Sequence, residues 1–575
     1  MAAPTTHQNA WLPPILAGVA YSLFMFLSAP PLSLWGFAIV AIWPLAWAGA
    51  RPGCRPYRNA TLIALGAVPF WGVSQWWVRE ISEFGYYPLV LAMALFPGVF
   101  VGLLAWVRSR SPSVPLAVTV PAIWTGQEFF RGEMFMDGYA WAFPAHPLID
   151  APGISAIASV GGAYLVSLLV AFLAGAAGDL WFATTPAKRR GIAIADGVIA
   201  VFLVSGLLVL GMKSGINPAP RQVSVAAIQT NVPQSNKIAW SLEDELRDFE
   251  RFAALTREAS SKSPALIVWP ETMMPGLTLE PAAVTLMRDQ GLQFRVRGAS
   301  GERNLDATHF ADRLMELSRE VRVPLLIGEE GIEGLKLTDT PEGVRFDRKA
   351  RLNSVYLVLD GKTSDLRYDK IHLTPFGEVM PYVHRWPALQ QALLDVAARG
   401  MAFDLAAGTR RTVFEIPAAD GPIRAVTPIC FEITGAKVCR QLVFDGEKRR
   451  ADLIVSLTND GWFGNSDLGR AHHLQLARWR AAELGTPVLR AANTGISAII
   501  DARGRITASG IDGTPMASRA DGVLHGSVTL GAGRTVYATI GDSAGWLALA
   551  SGIGLVARAA WLSWNDRRTR LPRPK

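Results

Sequence analysis

The chain has 575 residues; at roughly 150 residues per soluble domain that length implies about four domains, yet half of it is hydrophobic and only 18% is charged. Residues 1–212 hold ten Lys/Arg and eight Asp/Glu, leaving 46 and 40 for the 363 residues that follow. This division into a lipid-soluble first third and a water-soluble remainder excludes a soluble cytoplasmic enzyme and a disordered chain, and three cysteines exclude a disulfide scaffold.

A helix needs about 20 mostly apolar residues to span a bilayer. Seven such stretches precede residue 213, at about 11–29, 32–50, 59–78, 86–107, 113–130, 154–183 and 191–212, and an eighth follows at about 538–561. The first lacks a basic leading segment and is followed directly by further spans, so it is expected to remain rather than to be cleaved as a signal peptide. Loops after the second, fourth and sixth stretches, with the C-terminal tail, hold thirteen Lys/Arg; the alternate loops hold only Arg79 and Arg131. The positive side is cytoplasmic. Both termini are therefore expected inside, with the soluble region outside the cytoplasm. The net charge of +8 lies largely in these loops rather than on one face, so no nucleic-acid partner is expected. The expected division is residues 1–212 as a seven-span domain, 213–537 as a soluble domain, and 538–575 as a last span with a basic tail. The loop 131–153 reads equally as an interfacial segment or as a packed connector.

In the soluble region Arg221–Val232 reads as a strand, and a helix over Leu242–Ser261 follows, capped by Ser241. Short buried strands are expected at Ala265–Trp269, Pro324–Gly328, Asn353–Asp360 and Asp365–Lys370, with a helix at about 311–322. The pattern returns with strands at Ile423–Ile429, Ala451–Leu457 and Pro487–Ala491, a helix at about 470–484 closed by Gly485, and a hairpin from Ser497–Asp501. Helices alternating with buried strands give an α/β layered sandwich. The stretch 276–308 is polar and poorly periodic, and reads as a mobile insertion able to act as a lid; 372–400 is the alternative cover.

Three reactive side chains close hydrophobic strands: Glu271 after ALIVWP, Lys370 in RYDKIHLTPFGE and Cys430 after AVTPI. The rim where strands end is where sites form in open α/β sheets. Singly these are a surface Glu, a surface Lys and a core Cys. Together they supply a base, a cation and a nucleophile, as acyl transfer through a thioester requires. A free thiol is only a few per cent thiolate at neutral pH, so a neighbouring carboxylate must take its proton. The oxyanion that follows needs an ammonium and a backbone N–H, which Lys370 and Phe431 can provide. No Cys/His cluster stands at zinc spacing, since His472 and His473 are adjacent and lack partner ligands; no metal and no cofactor are expected. His372 reads as structural. Cys439 reads as a helix-packing residue rather than a disulfide partner of Cys430.

WPET, YDKIHLTPFGE, ICFE and NDGWFG, in this order, resemble the nitrilase (carbon–nitrogen hydrolase) superfamily. Seven spans before such a domain and one after look like the apolipoprotein N-acyltransferase family of bacteria, and this resemblance covers nearly the whole chain. It implies a multi-pass helical membrane bundle of about eight spans and an extracytoplasmic nitrilase-like α-β-β-α sandwich. It also implies an enzyme of the bacterial inner membrane, with both termini cytoplasmic and its catalytic domain on the periplasmic side. The implied reaction moves an acyl chain from a phospholipid, through a cysteine thioester, to the α-amino group of a diacylglyceryl-cysteine at an apolipoprotein N-terminus. The partners are then a phospholipid donor, a diacylated apolipoprotein acceptor and membrane lipid. Carried over by motif, Glu271 is the base, Lys370 the oxyanion partner and Cys430 the nucleophile, with Glu378, Glu432 and Trp240 supporting. Asn459, Asp460, Trp462 and Phe463, which end and follow the strand ADLIVSLTN, read equally as lining the substrate entrance or as a structural turn. Phe431 stands where the family often has Tyr; its backbone N–H survives the change, while any hydroxyl bond is lost. Two rivals are a membrane-tethered amidase or nitrilase acting on a small amide, which eight spans disfavour, and a transporter or receptor. The second should carry charges inside its spans, where only Asp179 and Asp196 lie, toward the ends.

Overall fold

The computed structural model describes residues 11–215, 220–233, 240–298, 301–340, 343–379, 405–511, 514, 517–531 and 533–570. The chain divides into two compact units, one formed up to Ser214 and again from Ile540, the other by Gly215–Thr539.

The first unit is helical. Four of its described helices are long and apolar enough to cross a membrane: Gly85–Arg110, Ile154–Phe182, Pro186–Lys213 and Ser543–Arg568. The sequence suggests eight spans; of the four remaining stretches, 59–78 lies in the helix Pro56–Ser74, whose first turn is the polar PYRN, and the other three fall short for local reasons as well. Leu12–Ser28 is 17 residues long. The stretch 32–50 is interrupted between Gly36–Val40 and Trp43–Ala50. Leu116–Glu133 ends on Glu128, Arg131 and Glu133. Small residues let helices approach closely in such bundles: a Cβ on Gly18 would stand 2.6 Å from the Ile63 carbonyl oxygen, and one on Gly66 2.6 Å from that of Ile15. Asp179 is not a pathway charge; its carboxylate accepts the Ala117 N–H at 2.9 Å, at the start of Leu116–Glu133. The loop 131–153 is a packed connector. Arg131 donates to the Trp141 carbonyl at 2.6 Å and lies over the Phe143 ring at 4.8 Å, while Trp141, Phe143 and Leu148 are buried.

The second unit holds two six-stranded sheets. The first runs in the order Gly522–Thr529, Gln222–Gln229, Ile267–Val268, Leu325–Glu333, Ala350–Leu359, Lys362–Asp369. The second runs Phe414–Ile416, Ile423–Val426, Leu453–Thr458, Val488–Ala492, Ala498–Ile500, Ile506–Ser509. Each has a parallel centre and antiparallel edges. Val225, Val268, Leu326 and Val355 of the first sheet share one core with Ile454, Leu489 and Ile499 of the second. Helices Leu242–Ser260 and His309–Val321 cover the other face of the first sheet through Phe249, Phe252, Leu314 and Leu317. Asp467–Leu484 and Ala436–Val443 lend Leu474, Ala477 and Leu442 to the core of the second. The result is four layers, α-β-β-α. Ser241 caps the first helix, its hydroxyl accepting the Asp244 N–H at 3.2 Å, and Gly485 ends Asp467–Leu484 with φ +56°.

The stretch 276–308 is not the irregular insertion its composition suggests. It forms the helix Pro281–Asp289 and the hairpin Gln293–Gly298/Gly301–Asp306. Ala283 and Met287 are buried under that helix, which a nine-residue window with two apolar anchors does not advertise. The strand Gly522–Thr529, with two glycines and no apolar alternation, also escapes a sequence reading, yet it pairs with Gln222–Gln229 along its whole length. Beyond Val379 the alternative cover, 372–400, lies outside the described residues.

Candidate active site

The site forms where strands of the two sheets stop. Glu271 follows Ile267–Val268 and is 4% exposed. One carboxylate oxygen accepts the Asn353 side-chain amide at 2.7 Å and the other accepts the Asn459 backbone N–H at 2.7 Å. The turn that carries it lies against the neighbouring strand so closely that a Cβ on Gly328 would stand 2.3 Å from the Pro270 carbonyl oxygen.

Lys370 ends the strand Lys362–Asp369 and is 1% exposed. Its Nζ is 2.7 Å from Glu378 Oε2 and 3.8 Å from Glu271 Oε1, and it donates to Thr374 Oγ1 at 3.0 Å. Glu378 is fixed in turn by the Thr374 N–H at 2.8 Å, and Asn353 reaches it at 3.3 Å. One ammonium thus sits between two glutamates, and one asparagine touches both. Burial alone would lower the Lys370 pKa, but the charges of Glu378 and Glu271 outweigh it and hold the ammonium above its ordinary value. Burial opposes ionisation of Glu378, yet Lys370 keeps its carboxyl below the ordinary range. Glu271, farther from the ammonium, goes the other way: burial raises it, with Glu378 adding to the rise and Lys370 only partly offsetting it. The two carboxylates are therefore driven apart, one toward permanent charge and one toward holding a proton.

Cys430 stands at the start of a 3₁₀ turn, Cys430–Thr434, with φ +50°. For a residue with a Cβ that conformation costs about 1–3 kcal/mol and persists only where surrounding structure imposes it. Glu432 supplies part of that constraint. Fully buried, it accepts the backbone N–H groups of Ile429 (2.7 Å), Ile371 (2.8 Å) and His372 (3.0 Å) and the Tyr368 hydroxyl at 2.9 Å. One carboxylate ties the cysteine turn to the chain just after Lys370, and burial pushes its pKa up to about 7. The Cys430 thiol is pushed far up by loss of water and by Glu271, with Lys370 pulling against them. It holds no standing thiolate at neutral pH, so its proton must leave as attack occurs.

A cleft of about 490 Å³ is lined by Glu271, Asn353, Glu378, Trp240, Asn459 and Trp462 among others, and Lys370 and Cys430 are not among its lining residues. Trp240 is held by its indole N–H, which donates to Asp248 at 3.0 Å; the residues before it, 234–239, lie outside the described ones. Phe463 does not line the cleft. It is buried, its ring 5.6 Å from that of His473. Phe431 stacks on the His372 ring at 5.9 Å. Cys439 is a free, buried thiol on the helix Ala436–Val443, donating to the Glu432 carbonyl at 3.3 Å, so no disulfide joins it to Cys430.

Sequence reading misses Asn353, Thr374 and a buried set behind the cysteine. His473 Nε2 lies 3.2 Å from the Cys430 carbonyl oxygen, and its Nδ1 lies 3.0 Å from Asp460, which pairs with Arg490 at 2.6 Å. Asn353 and Arg490 signal themselves as polar residues inside otherwise apolar strands. No group of His, Cys, Asp and Glu that could hold a metal ion occurs among the described residues.

Residues 21–176 match the family described as the apolipoprotein N-acyltransferase N-terminal domain, and residues 224–518 match the carbon-nitrogen hydrolase family. The apolipoprotein N-acyltransferase of Rhizobium meliloti (strain 1021) is 30% identical over 516 residues, 85% of this chain and 86% of that one. That of Geobacter metallireducens is 28% identical over 565 residues, 94% and 95% of the two chains. An amidase from Nesterenkonia sp. aligns with a TM-score of 0.34 at 15% identity, over 54% of this chain and 90% of that one. Carbon–nitrogen hydrolase sequence through the second unit, a matching membrane region before it and relatives aligned over nearly the full length lead to one conclusion: the chain belongs to the apolipoprotein N-acyltransferase family.

Proposed function

We propose that the protein takes an acyl chain from a phospholipid onto Cys430 and passes it to the α-amino group of the diacylglyceryl-cysteine that begins an apolipoprotein. In the first half-reaction the Cys430 sulfur attacks the ester carbonyl while Glu271 accepts the thiol proton. The tetrahedral oxyanion is met by the Lys370 ammonium and the Phe431 N–H. The C–O bond then breaks, Glu271 returns the proton to the departing lysophospholipid alkoxide, and a thioester remains. In the second, the lipoprotein amine attacks that thioester, a C–N bond forms, the C–S bond breaks, and the amine's proton goes through Glu271 to the sulfur. The single observation that carries these roles is the buried ammonium between Glu271 and Glu378, with Glu432 tying the cysteine turn to the chain just after Lys370. Glu378 holds Lys370; Glu432 holds the cysteine turn. Trp240, Asn459 and Trp462 line the approach, and Phe463 packs beneath it.

Lipid substrates leave the bilayer at about 0.8 kcal/mol per methylene, which is reason enough for a membrane unit in the same chain. The thirteen-to-two distribution of Lys/Arg between alternate loops supports an inner-membrane orientation with both termini cytoplasmic and the catalytic unit periplasmic. It requires an odd number of crossings before residue 213, seven in this reading.

The test is mass spectrometry of the purified full-length protein after incubation with phospholipid vesicles. An acyl adduct on Cys430, removed by hydroxylamine and lost in Cys430→Ala but kept in Cys439→Ala, is the expected result. An adduct that never forms, or that both substitutions abolish equally, would overturn the assignment.

A further inference from the structure

We propose that His473 is a positioning residue that aims the Phe431 N–H at the oxyanion by holding the carbonyl of Cys430. The inference rests on the acyl-transfer reading of Cys430 given above. The peptide joining Cys430 to Phe431 is planar, so in its trans form the carbonyl and the N–H point in opposite directions. Whatever holds the carbonyl on one side sets the direction of the N–H on the other. The Cys430 carbonyl oxygen lies 3.2 Å from His473 Nε2. A carbonyl only accepts, so Nε2 carries the proton in this contact. The Glu432 N–H next in the chain is spent on the Ile429 carbonyl at 3.1 Å, whereas the Phe431 N–H has no acceptor among the described residues. It is left to a ligand.

The imidazole is itself held on every side. With the proton on Nε2, the Nδ1 lone pair accepts from Arg490 Nη2 at 3.2 Å, and Arg490 in turn pairs with Asp460, whose Oδ1 lies 3.0 Å from Nδ1. Asp460 also accepts the Thr458 hydroxyl at 2.9 Å, and the Phe463 ring meets the imidazole edge-on at 5.6 Å. His473, Asp460 and Arg490 are 2%, 0% and 0% exposed. The backbone seals Asp460 in place: a Cβ on Gly495 would stand 2.0 Å from Oδ2. Asp460 and Arg490 neutralise one another, so the ring sits in a rigid, paired setting and is not a base for the thiol. Its proton on Nε2 faces the backbone, not the sulfur.

Full-length wild type, His473→Phe, His473→Gln and His473→Asn, in detergent micelles, are compared in two reactions at Cys430 followed by mass spectrometry. One is thioester formation from phospholipid, which passes through an oxyanion. The other is alkylation by iodoacetamide, a displacement at carbon that forms none. His473→Phe should slow thioester formation on the order of a hundredfold, the usual cost of one oxyanion donor, and leave alkylation within about twofold. His473→Gln, whose amide N–H can reach the carbonyl, should regain most of the lost rate; His473→Asn, whose amide stops at the Nδ1 position, should not. Thioester formation at the wild-type rate in His473→Phe, or a parallel fall in both reactions, would overturn the role. If His473→Phe fails to fold, equal thioester rates in the Gln and Asn variants would overturn it instead. Wild type that forms no thioester would sink the acyl-transfer reading, a result separate from any difference among the variants.

Discussion

At the scale of single residues, the site is governed by one ammonium shared unequally between two carboxylates. Glu378, at 2.7 Å, takes most of the Lys370 charge; Glu271, at 3.8 Å, keeps enough basicity to accept a proton. A general base works only when ionised, and burial raises the Glu271 pKa. Lowering the pH therefore protonates it sooner than an ordinary carboxyl, whose pKa is about 4.3. Single-turnover thioester formation should fall on the acid side at a pH distinctly above that value, and Glu271→Gln should leave a slow rate lacking this limb. A limb at the ordinary carboxylate position, or one kept in the glutamine variant, would remove Glu271 from the role. Lys370→Met tests the other partner. Both half-reactions pass through an oxyanion, so each should slow roughly a hundred- to a thousandfold. The variant should also lose about 3–5 kcal/mol of stability, because two buried carboxylates lose their counter-charge. Normal thioester formation with failure only on adding a diacylated lipopeptide would instead assign Lys370 to the incoming amine. Denaturant unfolding of the same samples reads the stability term.

At the scale of elements, close backbone approach places these groups. The turn carrying Glu271 lies on the strand Leu325–Glu333 with no room for a side chain at residue 328. Gly328→Ala should push the Pro270–Glu271 turn away, cost about 1–3 kcal/mol as overpacking does, and lower thioester formation more than its stability loss explains. Thermal unfolding and single-turnover rates on the same preparation check this, and an unchanged rate would mean that the turn adjusts freely. Strand-end residues are legible where hydrophobic runs stop, at Glu271 and Cys430, whereas Lys370 follows the polar strand Lys362–Asp369 and is marked by the motif RYDKIHLTPFGE. Asn353 is not legible, since it meets Glu271 only through the register of Ala350–Leu359 against Leu325–Glu333, 82 residues along the chain. His473 was hidden for the same reason: it reaches the Cys430 carbonyl only once its helix packs on the second sheet. The helix and hairpin of 276–308 were missed because short amphipathic segments carry too few apolar positions to show a period.

At the scale of the whole molecule, charge separates two solvents along one chain. The first third holds little charge, and its loops alternate between basic ones and ones that are uncharged or net acidic. Reporter fusions at Arg55, Lys188 and Arg570 should read cytoplasmic, and one at Gly301 should read external. A cytoplasmic signal at Gly301 would contradict a periplasmic catalytic unit. The reporters also count crossings independently of helix length, which matters where only four described helices are long and apolar enough by composition.

Much of the protein can be read from local composition and periodicity alone. That includes the split between lipid-soluble and water-soluble regions, the bias of charge across loops, most strands and long helices of the second unit, and the reactive residues at strand ends. Hydrophobic period and net charge are properties of short windows, so they survive without coordinates. Which partners those residues meet depends on how the folded layers pack. The reach of Lys370 to Glu271, the tie of Glu432 across the cysteine turn and the contact of His473 with the Cys430 carbonyl are made between residues far apart in the chain. Such contacts are set by sheet register and helix packing, which depend on how all layers close on one core, and no window of sequence contains them.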